Sequence, residues 1–232
     1  MSSNAAMRVS ERLLAVRGQI EDCARSAGRD AGDITLVAVT KRVSLAAVRE
    51  AVAAGQKHFG ENYVQEGLAK IEAFAAPELR WHLIGALQSN KAARAARSFH
   101  LLHSVCSESV ARAISREMVA AGRDAHVLLQ IRLGGGAGRA GVEPDEAEAM
   151  ARALTELPGI QLDGVMGVAA PGEAARPQFA RLCALLQRLR GLGLPRAPLR
   201  EMSAGMSADF ADAIREGATM VRIGSAIFGA RG

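Results

Sequence analysis

Ile34-Thr35-Leu36-Val37-Ala38-Val39 runs without a break into Thr40-Lys41, and towards the other end of the chain Met220-Val221-Arg222-Ile223 runs into Gly224-Ser225. Both are short apolar runs rich in β-branched residues, and both stop at residues that carry chemistry. Between them the pattern recurs. After a first amphipathic helix over 7–27, strand-like runs at 34–39, 57–60, 81–85, 101–105, 126–133, 162–168, 199–203 and 220–223 alternate with helical periods. The helical periods fall at 45–54, 64–74, 109–121, 145–157, 178–192 and 208–216, with a weaker one at 88–98. Gly55, Gly122 and Gly217 follow helical periods, where a left-handed residue ends a helix at little cost. Eight strand-then-helix units with no Pro/Ser-rich linker predict an α/β fold: a single (β/α)8 TIM barrel with an extra N-terminal helix, residues 1–232 forming one domain. An open doubly wound sheet suits the pattern less well. Barrels of this kind carry their chemistry at the C-terminal ends of the strands, so those ends are the positions to interrogate.

Composition narrows the functional classes. The chain has 232 residues, 49% hydrophobic and 23% charged, and no apolar run long enough to cross a bilayer, so a soluble protein without membrane partners is expected. A net charge of +5 invites a nucleic-acid reading. Against it, only four of the 29 basic residues are lysine, the arginines are dispersed, and aromatics are 3% of residues, too few for base-stacking platforms. The three cysteines, Cys23, Cys106 and Cys183, lie near eighty residues apart and match neither a disulfide framework nor a zinc site. They read as reduced thiols of a cytoplasmic protein. The N-terminus contains Glu11 and spaced apolar residues in place of a basic region with a continuous apolar stretch, so no signal peptide is expected.

Lys41 places a primary amine at the barrel mouth. Beside an apolar strand such an amine loses proton affinity, and the neutral form is the one that attacks an aldehyde; the alternative is a strand-end lysine paired with a carboxylate. After the eighth strand, Gly224 and Ser225 suit a phosphate, a common ligand of the loops after strands seven and eight. Ser203-Ala204-Gly205-Met206-Ser207 ends the seventh strand, and Ser207 reads either as a phosphate ligand or as the N-cap of the next helix. Arg222, inside an apolar strand, must be hydrogen-bonded, to a carboxylate or to a ring nitrogen of a cofactor. Gly60-Glu61-Asn62-Tyr63-Val64-Gln65-Glu66 clusters polar groups after the second strand, and the sole tyrosine, Tyr63, could face packing or substrate. His82 reads as a satisfied core histidine. Gly136-Ala137-Gly138-Arg139-Ala140-Gly141 matches the glycine pattern of dinucleotide sites, and Glu156 lies twenty residues beyond Gly136. That acid, however, precedes the next strand, whereas a ribose ligand belongs at its far end, so a flexible loop over the mouth is the better account.

Six ordered blocks together carry a resemblance that covers nearly the whole chain. They are Ala38-Val39-Thr40-Lys41, residues 59–66, Trp81-His82-Leu83-Ile84-Gly85, Leu87-Gln88-Ser89-Asn90-Lys91, residues 205–210 and residues 220–229. With them the chain resembles the pyridoxal phosphate homeostasis proteins, the proline synthase co-transcribed family, which have the fold of the alanine racemase N-terminal barrel. The resemblance implies that Lys41 forms the internal aldimine with pyridoxal 5′-phosphate (PLP) and that Arg222 faces the pyridine nitrogen. It implies further that Ser203, Ser207, Gly224 and Ser225 surround the phosphate, with Asn62 near the ring. Three places depart from the family pattern: Thr40 stands for a serine, Ala86 for a histidine, and Arg139 near the place of a loop lysine. Since arginine forms no aldimine at neutral pH, a transfer role for that amine does not carry over. The sequence stops at Arg231-Gly232, without the basic tail of some members.

Carrier and catalyst differ in what the cofactor meets. An arginine at the pyridine nitrogen is a permanent donor that weakens the electron sink, although the racemases resembling this fold use one too. Two-base racemisation also needs an acid/base group opposite the lysine, and in those racemases it comes as a tyrosine from a second domain on a partner subunit. The expectation is therefore a PLP-binding protein of intracellular PLP homeostasis, without significant catalysis, monomeric, with PLP-dependent apoenzymes as candidate partners. A weak PLP-dependent amino-acid racemase is the alternative, and a dinucleotide-binding oxidoreductase a third reading.

Overall fold

Eight parallel strands close on themselves in chain order, β1(Thr35–Val39), β2(His58–Glu61), β3(Arg80–Leu83), β4(Leu101–Val105), β5(Ala125–Arg132), β6(Ile160–Val168), β7(Glu201–Ser203) and β8(Met220–Ile223). The chain is seen here in a computed structural model, which describes residues 7–135 and 140–229. The helices α2(Leu45–Ala53), α3(Val64–Phe74), α4(Ser89–Ser98), α5(Glu108–Ala120), α6(Ala147–Glu156), α7(Ala175–Gly191) and α8(Phe210–Arg215) follow the first seven strands in turn. A one-turn helix, α9(Ser225–Phe228), follows β8, and α1(Val9–Ser26) precedes the barrel and packs on α2, α8 and α9. This is the (β/α)8 barrel with an added N-terminal helix that the alternation predicts. The weak period at 88–98 is a real helix: Ala92, Ala95 and Ala96 form a small, buried face that lets α4 lie close to the sheet. The turn of α9 is too short for a period to reveal, and a 3-10 turn at Ala31–Asp33 escapes the sequence for the same reason. Gly55, Gly122 and Gly217 all adopt positive φ beyond helix ends, as expected. No helix among the described residues is long and apolar enough to cross a membrane.

The barrel has two cores of different character. Outside it, alternate strand residues meet the helices in one continuous apolar layer, in which Phe59 stacks on Trp81 with ring centroids 5.1 Å apart. Inside it, Leu101, Leu128, Met166 and Met220 form a small separate cluster, and the rest of the lumen is unusually polar. His58 Nδ1 lies 3.0 Å from His82 Nε2, His82 Nδ1 lies 2.8 Å from His103 Nε2, and His103 Nδ1 lies 2.9 Å from Ser203 Oγ. β4 and β7 are not neighbours in the barrel, so the His103–Ser203 contact crosses the lumen. His82 is thus a satisfied core histidine, as its sequence context suggests, but satisfied by other histidines.

These burials set a pH dependence. Burial pushes the pKa of His82 and His103 well below the ordinary histidine value, with neighbouring histidines adding to it at His82 and Arg222 at His103. The folded state therefore keeps both neutral while the unfolded chain binds their protons below about pH 6.5, so stability holds above that pH and falls beneath it. The slope is about 1.4 kcal/mol per pH unit for each histidine. His126, raised by its hydrogen bond to Asp163, acts in the opposite sense, but it is only half-buried. Urea unfolding at pH 7.5, 6.5 and 5.5 is expected to show a midpoint that falls slightly between the first two and more steeply at the third.

Candidate functional site

The strand ends of β1, β2, β6 and β8 open onto a cavity of about 320 Å³ lined by Val39, Lys41, Asn62, Ile84, Val168, Met206, Ser207, Ala208, Arg222, Gly224 and Ser225. Six of the seven residues expected from the sequence meet there. The seventh, Ser203, is fully buried beneath the wall, where its hydroxyl accepts a 2.6 Å hydrogen bond from Arg222 Nη1. Arg222 Nη2 donates to the carbonyl of Gly167 at 2.9 Å. Both of these partners are neutral oxygens, so the carboxylate anticipated as the plain explanation of this arginine is not among its partners in the described residues. Burial lowers its pKa to about 10, with Asp209 pulling it back up, so Arg222 stays charged at neutral pH.

At the other end of the cavity, the Ser225 hydroxyl donates to Ser207 Oγ at 3.1 Å. The N-cap reading of Ser207 fails: α8 starts at Phe210 with Asp209 at its cap position, and Asp209 Oδ1 instead accepts from the Met206 amide at 2.6 Å. Gly205 makes this turn possible. Its φ is +89°, and a Cβ there would lie 2.7 Å from Ala213 Cβ and 2.8 Å from Phe210 Cα. Asn62 Oδ1 is buried and has no partner among the described residues, so the wall offers an acceptor that a bound molecule can satisfy. Tyr63 is half-exposed at the start of α3 and is not among the lining residues. Gly136 and Arg139 of the glycine-rich loop lie outside the described residues, and Glu156 ends α6 ahead of β6.

The groups that hold Lys41 in place leave little trace in the sequence. Lys70 Nζ donates to the carbonyl of Thr40 at 2.5 Å, to Glu61 Oε1 at 2.6 Å and to Glu66 Oε1 at 2.8 Å. Thr40 Oγ1 donates to Glu61 Oε1 at 2.5 Å, and the Arg42 amide donates to Glu66 Oε1 at 2.6 Å. Both peptide flanks of Lys41 are thereby tied to one cluster, buried at Glu61 and Lys70 and partly open at Glu66, which also retains Arg42 at a left-handed φ of 57°. The available signal is Glu66 and Lys70 at helical i,i+4 spacing in a chain with only four lysines.

A family model for the alanine racemase N-terminal domain matches residues 15–232. The pyridoxal phosphate homeostasis protein of Pseudomonas aeruginosa is 41% identical over 223 residues, covering 96% of this chain and 96% of that protein. The chain belongs to the pyridoxal phosphate homeostasis protein family. The family's Escherichia coli K12 member is 38% identical over 226 residues, with 96% of this chain and 97% of the relative covered. PipY of Synechococcus elongatus, solved with PLP bound, is 37% identical with a TM-score of 0.83, covering 96% of this chain and 100% of that one. An alanine racemase of Clostridium difficile, 17% identical with a TM-score of 0.72, shares the barrel over 93% of this chain and 56% of its own length, which shows the fold alone.

In this family member the Lys70 cluster has a measurable weight. Burial pushes the Glu61 carboxyl pKa up while Lys70 and Thr40 pull it down, and its Oε2 has no partner among the described residues, so Lys70 is the group that makes a charge there tolerable. Lys70→Met is expected to cost about 3 kcal/mol in urea unfolding at pH 7.5, by stranding a buried carboxylate. Glu61→Gln in the same background is expected to restore part of the loss, and a double-mutant cycle with no coupling contradicts the cluster's role.

Proposed function

We propose that this chain binds PLP in the Lys41 cavity and serves in intracellular PLP homeostasis as a carrier without significant catalysis. The observation that carries the reading is the convergence of Lys41, Asn62, Ser207, Arg222, Gly224 and Ser225 on one cavity. The donor set fits the group. Among the described residues, Lys41 offers the only primary amine on the wall as the covalent attachment point for an aldehyde. Ser207 and Ser225, with the backbone at Gly224, offer hydroxyls and close backbone approach to a phosphate, and Asn62 offers its side-chain amide to the ring's 3-oxygen. Arg222 faces the cavity as a cation that cannot accept a proton, which suits a pyridine nitrogen held unprotonated. Ser203 then acts on the cofactor only through Arg222. Bound PLP supplies an electron sink, whose strength depends on that nitrogen.

A racemase needs a second acid/base group across the cavity from the lysine. Among the described residues, Lys41 and Arg222 are the only ionisable groups on the wall, and Arg222 is committed to Ser203 and Gly167. This favours the carrier over the racemase. We further propose a monomeric, cytoplasmic protein that hands PLP to PLP-dependent apoenzymes and engages neither nucleic acid nor membrane. Three free cysteines suit a reducing compartment, and the large exposed apolar residues, Leu14, Val119 and Met206 among them, sit on separate elements instead of forming one patch.

Purified protein with PLP is expected to show a visible band that borohydride abolishes, with the pyridoxyl group mapped to Lys41, and to scatter light as a single chain. Lys41→Ala is expected to lose the band and to leave alanine turnover as undetectable as in the wild type. An adduct on Lys57, Lys70 or Lys91 overturns the site, and robust alanine racemisation by the wild type overturns the carrier reading.

A further inference from the structure

All five histidines of the chain, His58, His82, His100, His103 and His126, gather in and below the barrel lumen, and three of them form a continuous hydrogen-bonded column that ends on Ser203 and Arg222. Each contact of the column joins two atoms that can each donate or accept, so it has two possible polarities. The Arg222 end decides between them. Arg222 is a donor only, and its Nη1–H occupies one lone pair of Ser203 Oγ. If His103 Nδ1 also donated to Ser203, the serine's own proton would be buried with no acceptor, because Arg222 and His103 are the only partners of that hydroxyl among the described residues. The serine therefore donates to His103 Nδ1. His103 must then carry its proton on Nε2 and donate to His82 Nδ1, His82 must donate through Nε2 to His58 Nδ1, and His58 is left with an Nε2–H.

We propose that His103, His82 and His58 are positioning residues for the cofactor site: a column of Nε2–H tautomers that commits Ser203 as acceptor from Arg222 and so fixes the guanidinium facing the cavity. Every proton passed along the column has one acceptor and every facing lone pair one donor, so turning Arg222 away from Ser203 unsettles the whole chain of bonds. The surroundings keep the imidazoles neutral. His103 faces Arg222 and His100, His82 faces His58, His100 and His103, and His58 faces His100, Arg80 and Lys57, all of which, with burial, disfavour an added proton. At the lower end His58 lines a cavity of about 430 Å³ with Arg17, Gln56 and Lys57, and Gln56 fixes its backbone by donating to the His58 carbonyl at 2.7 Å.

The inference rests on the PLP reading only for its effect on binding, and the test separates the two. Long-range proton–nitrogen NMR of the cofactor-free, labelled protein at pH 7.5 is expected to show protonated Nε2 and bare Nδ1 at His58, His82 and His103 alike. Protonated Nδ1 at any of the three, or a mixture, overturns the proposal. His103→Gln can accept from Ser203 and donate to His82, so it is expected to keep the His82 tautomer and to bind PLP within about threefold of the wild type; His103→Leu can do neither and is expected to bind at least about tenfold more weakly. Equal binding by both variants contradicts the positioning role, as does loss of the His82 tautomer in the glutamine variant. Should the leucine variant fail to fold, the wild-type tautomers and the glutamine variant decide the matter. Absence of PLP binding by the wild type, with the three tautomers as stated, would overturn the site assignment and leave the column intact.

Discussion

A guanidinium that stays charged at neutral pH lies in the middle of a parallel barrel, and the lumen around Arg222 is arranged to tolerate it. A buried cation without partners is among the most costly features a core can hold. Here the charge is met by oriented neutral oxygens, the Ser203 hydroxyl and the Gly167 carbonyl, with the Asp209 carboxylate contributing at longer range. Once Ser203 accepts from Arg222 it needs an acceptor of its own, and that requirement propagates through His103 and His82 to the lower mouth. The polar lumen is thus a consequence of one residue on β8.

The same strand sets the geometry of the cavity. β1 and β8 pair in register with Val37 opposite Arg222, so the closure of the barrel places the chain that continues from β1 into Lys41 directly beside the end of β8. A one-residue slip of β8 would turn Arg222 out of the lumen. The turn after β1 is then immobilised by charge: the Lys70 cluster ties down Thr40 and Arg42, so that the lysine between them is presented from a braced turn and not from a loose loop. An amine that must meet an aldehyde carbon and a guanidinium that must meet a ring nitrogen are thus held by two separate buried polar systems on adjacent strands.

Much of this is legible in the residues. The alternation of strand and helix specifies the barrel because each period is a local property, and strand-end positions such as Lys41, Asn62 and Ser225 stand out once the barrel is assumed. Ser207 is ambiguous because a serine before a helix satisfies a cap and an anion equally well, and only the start of α8 at Phe210 separates the two. Ser203 groups with the phosphate residues on sequence because a strand end is readable there, whereas the direction in which a side chain near it points is not. The histidine column and the Lys70 cluster are hard to read for a different reason: their members come from β2, β3, β4 and β7 in the first case and from the turn after β1, β2 and α3 in the second, so beyond the i,i+4 pair Glu66 and Lys70 no spacing in the chain announces them. Lone polar residues in apolar runs are the remaining trace, and each is individually explained by a single satisfied hydrogen bond.

The chemistry proposed for the cavity depends on Arg222 meeting the cofactor as a donor that cannot be reversed. The nitrogen-15 chemical shift of PLP labelled at its pyridine nitrogen, bound to the wild-type protein, tests this most directly. An unprotonated nitrogen across pH 6.5 to 8.5, accepting a hydrogen bond, is the predicted result. A protonated pyridinium in that range would contradict it, because a guanidinium facing the ring cannot share space with a second donor.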